Sequence, residues 1–190
     1  MSKISIFMFL ILLKVNIAFS NDIELTNRVE CYFNKIKTLS IKFKQISFSD
    51  LNKVCTGELH MVKPNMLRFE YLHPRRITIL LKNSNIIYHN HDFNEVSYIR
   101  KNQYLFKLLS GKSVKFQSEM ARIFLRNSNI YLQTKKILNN IMTSIVITFT
   151  YNPICLKTIK ISQNNYNECI IIFSDVKYNI YPNKNLFFKK

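Results

Sequence analysis

The feature that most restricts the fold is a long succession of short segments in which apolar and polar residues alternate. Ser40–Phe48 sets the pattern, with Ile41 and Phe43 on one face and Lys42 and Lys44 on the other. Glu58–Lys63, Leu67–Leu72, Ile77–Lys82, Ile86–His89 and Glu95–Ile99 follow closely. A second series runs through Arg122–Arg126, Ile130–Gln133, Ser144–Tyr151, Ile154–Ser162, Asn167–Asp175 and Leu186–Phe188. A period of two residues places one face of each segment against a core, and many such strands at near-regular spacing predict an antiparallel sandwich or barrel. Turn chemistry agrees. The chain has only 2 glycines, and asparagine stands where glycine would serve: Asn83-Ser84-Asn85, Asn127-Ser128-Asn129, Asn139-Asn140 and Asn164-Asn165. Asparagine tolerates left-handed backbone better than other non-glycine residues, so these are expected hairpin turns.

One segment has a different period. In Asp22–Leu39, the residues Leu25, Val29, Tyr32/Phe33 and Ile36 recur at three- and four-residue steps, with Asp22 and Glu24 at the end a helix dipole favours. A single amphipathic helix must bury its stripe on something larger, here the sheet. Tyr104–Leu109 reads as a second, short apolar helix stopped at Gly111.

The N-terminus carries an address. Lys3 precedes an apolar run, Ile4–Leu13, and Ala18-Phe19-Ser20 has the small-x-small form of a signal-peptidase site. The run is shorter than the roughly 20 residues that cross a bilayer. Residues 1–20 are therefore expected to be a removed signal peptide, and residues 21–190 a single β domain exported to the periplasm. Asn21 is not cysteine, which argues against a lipid anchor.

Net charge is +17, and loss of Lys3 and Lys14 leaves +15. Such a charge ordinarily suggests nucleic acid. Here the cations are scattered, and the abundance of Lys, Asn, Ile, Phe and Tyr with 0 tryptophans matches an AT-rich coding bias. Export and scatter together favour a surface facing anionic headgroups over a nucleic-acid partner. The four cysteines, Cys31, Cys55, Cys155 and Cys169, lack C-x-x-C spacing, so neither zinc nor thioredoxin chemistry is indicated; paired and free thiols both stay open.

The most informative stretch is Gly57–Tyr98. Leu67, Phe69 and Tyr71 share one strand face, and Ile77, Ile79 and Leu81 share one on the next. A one-residue slip would invert every side chain, so odd loops are required to keep the apolar face continuous. Three-residue loops at Pro64–Met66 and Pro74–Arg76 would set Met61 opposite Phe69, Tyr71 opposite Ile79 and Phe69 opposite Leu81.

Gly57–Pro74 carries a G-x-L-x-x-x-(K/R)-P-x-x-x-R-(F/W)-x-Y-x-x-P run. Phe43 and Gln45 lie in a strand upstream, Leu108-Leu109-Ser110-Gly111 closes a mid-chain helix, and Asn185–Phe188 reads as a terminal n-x-x-F strand. In order and spacing this series resembles the outer-membrane lipoprotein carrier (LolA-like) family. The resemblance implies a mainly β fold with a few helices: an unclosed antiparallel half-barrel under a helical lid. No catalysis and no cofactor are expected. The implied partners are the acyl chains of lipoproteins, an inner-membrane ABC exporter and an outer-membrane receptor, met by a monomer. Under it, Met61, Leu67, Phe69, Tyr71, Ile77, Ile79, Leu81 and Ile87 would form the acyl-binding concave face. Tyr104, Leu105, Leu108 and Leu109 would belong to the lid. Lys63 stands where the family usually has arginine and would be the gate or partner contact. Lysine keeps the charge without arginine's planar fork.

A carrier needs a broad apolar surface without strong polar anchors, because its cargo must leave again. The same alternating residues also fit a filled β core, in a same-fold module binding another lipid or a protein partner. A vacant apolar cavity on these strands would favour the carrier, and a closed core the alternative. His89-Asn90-His91 puts two imidazoles on one strand face, but no cysteine or carboxylate cluster joins them beyond Asp92. No nucleophile elbow, H-E-x-x-H or phosphate-cradling loop is present.

Overall fold

The computed structural model describes residues 23–48, 53–82, 85–99, 109–116, 121–138, 141–163 and 167–187. The expected signal peptide, the lid residues Tyr104, Leu105 and Leu108, and the turns at Asn83-Ser84, Asn139-Asn140 and Asn164-Asn165 lie outside them.

A helix, α1 (residues 23–35), leads into eleven strands. They are β1 (Thr38–Ser47), β2 (Lys53–Val62), β3 (Met66–His73), β4 (Ile77–Lys82), β5 (Asn85–Asn90) and β6 (Glu95–Ile99), then β7 (Ala121–Arg126), β8 (Asn129–Leu138), β9 (Ile141–Thr150), β10 (Cys155–Gln163) and β11 (Asn167–Tyr178). All belong to one antiparallel sheet in the order β6-β5-β4-β3-β2-β1-β11-β10-β9-β8-β7. The first and last strands pair at its centre, and each half is a meander of neighbouring hairpins. β6 and β7 remain as edges, so the sheet is an unclosed half-barrel, as expected.

Asparagine takes over the role of glycine. The β7–β8 hairpin pairs Arg126 with Asn129 across a two-residue loop in which Asn127 (φ 50°) and Ser128 (φ 57°) are both left-handed. That is the backbone a type I′ hairpin turn requires. Asn65, Asn94 and Asn179 also sit at positive φ, and neither glycine does. Gly57 is constrained by space instead: a Cβ there would run into the carbonyl oxygen of Glu70 and lie 2.8 Å from Phe43 Cζ.

Odd loops preserve the apolar face, but the partners differ from the expected register. Met61 pairs with Leu67, Phe69 with Ile79, Leu67 with Leu81 and Tyr71 with Ile77. Each expected pairing is displaced by two residues. The β2–β3 loop is Lys63–Asn65, made compact by left-handed Asn65, and β3 leaves its pairing with β4 at Tyr71, beside a bulge at Thr56/Gly57. An even displacement changes neighbours without changing faces. Two further expectations are corrected. α1 stops at residue 35, because Thr38 and Leu39 already pair with Val62 and Met61. The expected last strand, Leu186–Phe188, is in its described part a 3-10 helix, Lys184–Phe187, hydrogen-bonded within itself from Leu186 N–H to the Asn183 carbonyl.

Candidate acyl-chain site and its helical cover

The inner face of the sheet is a continuous apolar surface. On β1 to β5 it comprises Leu39, Ile41 and Phe43, then Leu59 and Met61, Leu67 and Phe69, Leu81, and Ile86, and it continues through Phe173, Ile159, Ile147 and Leu132 in the other half. Tyr71 and Ile79 pack against this cluster while half-buried, and Ile77 continues their face on β4. Seven of the eight residues expected on the concave face thus share it. Ile87 does not. It pairs with Leu80 on the outer face, and Ile86, opposite Leu81, takes the inner position at 3% exposure. Both residues are isoleucine, so alternation alone could not set the phase of this strand.

This face is closed. Leu25, Val29, Phe33 and Ile36 of α1 and its exit belong to the same buried cluster, together with Leu109, Val114 and Phe116. Phe33 meets Phe116 and Phe149 edge to face at centroid separations of 5.9 and 5.6 Å. Of the four expected lid residues, only Leu109 is described, and it is buried in this cover.

Polar contacts fasten the cover at its margins. Val114 N–H donates to Asn34 Oδ1 (2.9 Å), Asn34 Nδ2 donates to the Val114 carbonyl (3.3 Å), and Phe116 N–H donates to Glu30 Oε1 (2.6 Å). Arg28 donates to the Tyr151 carbonyl (3.2 Å) and lies over its ring, 4.5 Å from the centroid. Tyr32 Oη and Tyr178 Oη are 2.8 Å apart, and Leu156 N–H donates to Tyr32 Oη (3.0 Å). Burial pushes the Tyr32 phenol up to about 12, so it stays a neutral linker at ordinary pH.

Lys63 is where the cover meets the sheet. Its Nζ donates to the Phe33 carbonyl at 2.5 Å, in the last turn of α1, where carbonyls lack intrahelical donors and a cation complements the dipole. Its N–H donates to the Lys37 carbonyl, and Asn65 N–H in the same turn donates to the Ser110 carbonyl, both at 2.9 Å. One hairpin turn therefore touches both parts of the cover. Burial lowers the Lys63 pKa from its ordinary value. Sequence reasoning chose Lys63 by family position and set Tyr32 in the helical stripe without its hydrogen bonds; it missed Asn34 and Glu30.

Near β5, the His89 and His91 rings lie 3.9 Å apart, and His91 Nε2 is 2.8 Å from Thr78 Oγ1. No group of three or more metal-capable side chains occurs among the described residues. All four cysteines are free thiols.

The inner face of the half-barrel thus lies under a helix whose last turn is fastened by the Lys63 turn. Residues 34–190 match the family model described as outer membrane lipoprotein carrier protein LolA. The chain belongs to that family. Among solved structures it is similar to a LolA superfamily protein from Nitrosomonas europaea, at 10% identity and TM-score 0.48, covering 87% of this chain and 98% of that one. It is also similar to a DUF1329 family protein from Desulfovibrio piger, at 7% identity and TM-score 0.47, covering 88% and 96%. Among curated proteins none matches the chain. No helix among the described residues is long and apolar enough to cross a membrane.

Proposed function

We propose that this protein is a non-catalytic periplasmic carrier that takes up lipoprotein acyl chains on the inner face of its half-barrel and releases them at the outer membrane. Membership of the lipoprotein carrier family over residues 34–190 is the observation that carries this reading. Residues 1–20 act as the export signal and residues 21–190 as one domain. An ABC exporter in the inner membrane loads the monomer, and an outer-membrane receptor unloads it.

Loading exchanges one apolar partner for another. Lifting Leu25, Val29, Phe33 and Ile36 off the sheet costs roughly 6–12 kcal/mol at about 1.5–3 kcal/mol per buried side chain. Each methylene of cargo returns about 0.8 kcal/mol, so on the order of 8–15 methylenes balance the displaced helix. A single acyl chain of an acylated cysteine offers that many, so one chain seated beneath the lifted helix leaves the exchange near balance and permits release. Met61, Leu67, Phe69, Tyr71, Ile77, Ile79 and Leu81 form the floor of the opened site, and Lys63 acts as its gate by holding or freeing the helix end. Binding of a triacylated peptide to the purified protein, abolished by Ile79→Glu, tests this. A protein indifferent to acyl groups sinks it.

The closed inner face favours a second reading, in which the same fold binds a protein partner or another lipid and the inner residues are permanent core. Cargo-induced loss of amide protection in α1 separates the two, since a permanent core leaves protection unchanged.

A further inference from the structure

The outer face carries a cavity of ≈ 810 Å³ that the carrier reading does not use. It lies over β3–β6, on the side of the sheet away from α1, and Phe187 of the terminal 3-10 helix forms part of its wall. Its volume falls within the roughly 300–1,000 Å³ of small-ligand sites. The lining divides into two rows fixed by strand register. Arg68, Leu80, Ile87 and Tyr98 lie side by side across β3 to β6, and Glu70, Thr78, His89 and Val96 form the next row. Leu80, Ile87, Tyr98, Val96 and Phe187 give the cavity an apolar lining, although Tyr98 is 75% and Val96 48% exposed.

The polar end is built around Arg68, whose side chain is only 8% exposed. Nε donates to Glu70 Oε2 (3.0 Å), Nη1 to the Leu186 carbonyl (3.0 Å) and Nη2 to Thr78 Oγ1 (3.4 Å). These bonds hold the C-terminal turn over the cavity and fix the guanidinium plane. Each terminal nitrogen carries a second N–H. Lys82 joins Arg68 as the second lysine or arginine of the lining, against Glu70 as the sole carboxylate among the described lining residues. The cationic excess complements an anion, while the apolar lining complements an alkyl chain.

We propose that the outer-face cavity is a second binding site, for a single-chain amphiphile with a carboxylate or phosphate head. The head lies at Arg68 and the chain runs over Leu80, Ile87 and Tyr98. This site is independent of the inner face, because Ile86 and Ile87 point to opposite sides of the same strand.

Calorimetric titration of the full-length protein with laurate, dodecyl phosphate, dodecyltrimethylammonium and dodecyl maltoside tests the assignment. Laurate and dodecyl phosphate are expected to bind at the outer site both in the wild type and in Ile79→Glu, with at least about tenfold loss of that outer-site affinity in Ile87→Glu, where a new carboxylate is buried against the chain. Tyr98→Ser, at a position 75% exposed, is expected to weaken both as well. Ile79→Glu, on the inner face, removes any inner-face uptake of the chain and should leave the outer-site affinity unchanged, so failure here is distinguishable from failure of the carrier reading. Equal binding of the cationic amphiphile, insensitivity to both outer-face variants, or loss confined to Ile79→Glu overturns the proposal. Displacement of laurate by an unrelated apolar hexapeptide at equal affinity does so too, by assigning the cavity to peptide.

Discussion

Replacing Lys63 with methionine removes one charge and one donor while keeping the length of the side-chain stem. In the closed molecule Nζ donates to the Phe33 carbonyl in the last helical turn. A hydrogen bond to a charged group contributes about 1.5–3 kcal/mol, and the methionine leaves that carbonyl without its donor. Lys63 is half-buried, and solvent access brings the expected loss to about 1–2 kcal/mol. Nothing in the sheet pairing changes, since the Lys63 N–H and Asn65 N–H bonds are backbone bonds. The loss therefore falls on attachment of α1, and its opening equilibrium should rise about 5- to 30-fold. Hydrogen exchange followed by mass spectrometry reads this directly in peptides covering residues 23–35. Exchange there should accelerate by that factor, while β8 and β9 keep wild-type protection. Lys63→Arg should restore protection. Unchanged exchange in α1 of Lys63→Met would refute the role of this contact in holding the cover.

Other perturbations follow from the same geometry. Gly57→Ala forces a methyl group against the Glu70 carbonyl and Phe43, so denaturant melts should show about 1–3 kcal/mol of destabilisation; a shift under about 0.5 kcal/mol would contradict the packing. Tyr32→Phe deprives Leu156 N–H, at the β10 bulge, of its acceptor and should cost about 1–3 kcal/mol by the same melts. Burial, with His89, Arg68 and Arg76 nearby, lowers the His91 pKa. Its folded form thus binds fewer protons than the unfolded chain below the ordinary histidine range. This contribution is complete above about pH 6.5 and is lost as pH falls through the folded pKa. His91→Gln should flatten that acid limb, and an unchanged limb would show that another group causes it.

Much of this fold was legible because strand alternation reports faces, and faces survive errors of register. Leu67, Phe69 and Tyr71 point inward whether Phe69 meets Ile79 or Leu81. The phase failed at Ile86-Ile87, where two identical side chains carry no alternation. The C-terminal Leu186-Phe187 pair looked like strand because both residues are apolar. Its conformation is set instead by what it covers: Arg68 takes the Leu186 carbonyl, and Phe187 is 3% exposed. No local pattern encodes that contact across the sequence. The cover was half legible. The stripe of α1 predicted burial, but the bonds from Asn34, Glu30 and Lys63 depend on where Val114, Phe116 and Phe33 arrive. The outer cavity was invisible for the same reason, since Arg68, His89 and Tyr98 come together only through the register of β3 to β6.

The most direct test of the carrier function is equilibrium binding of a triacylated lipopeptide to the purified protein, with the unacylated peptide as control. Saturable binding of the acylated form alone, lost in Ile79→Glu while the variant keeps its β-sheet circular dichroism, is the expected result. Absence of binding by the wild-type protein, or equal binding by Ile79→Glu, would contradict an inner-face acyl site.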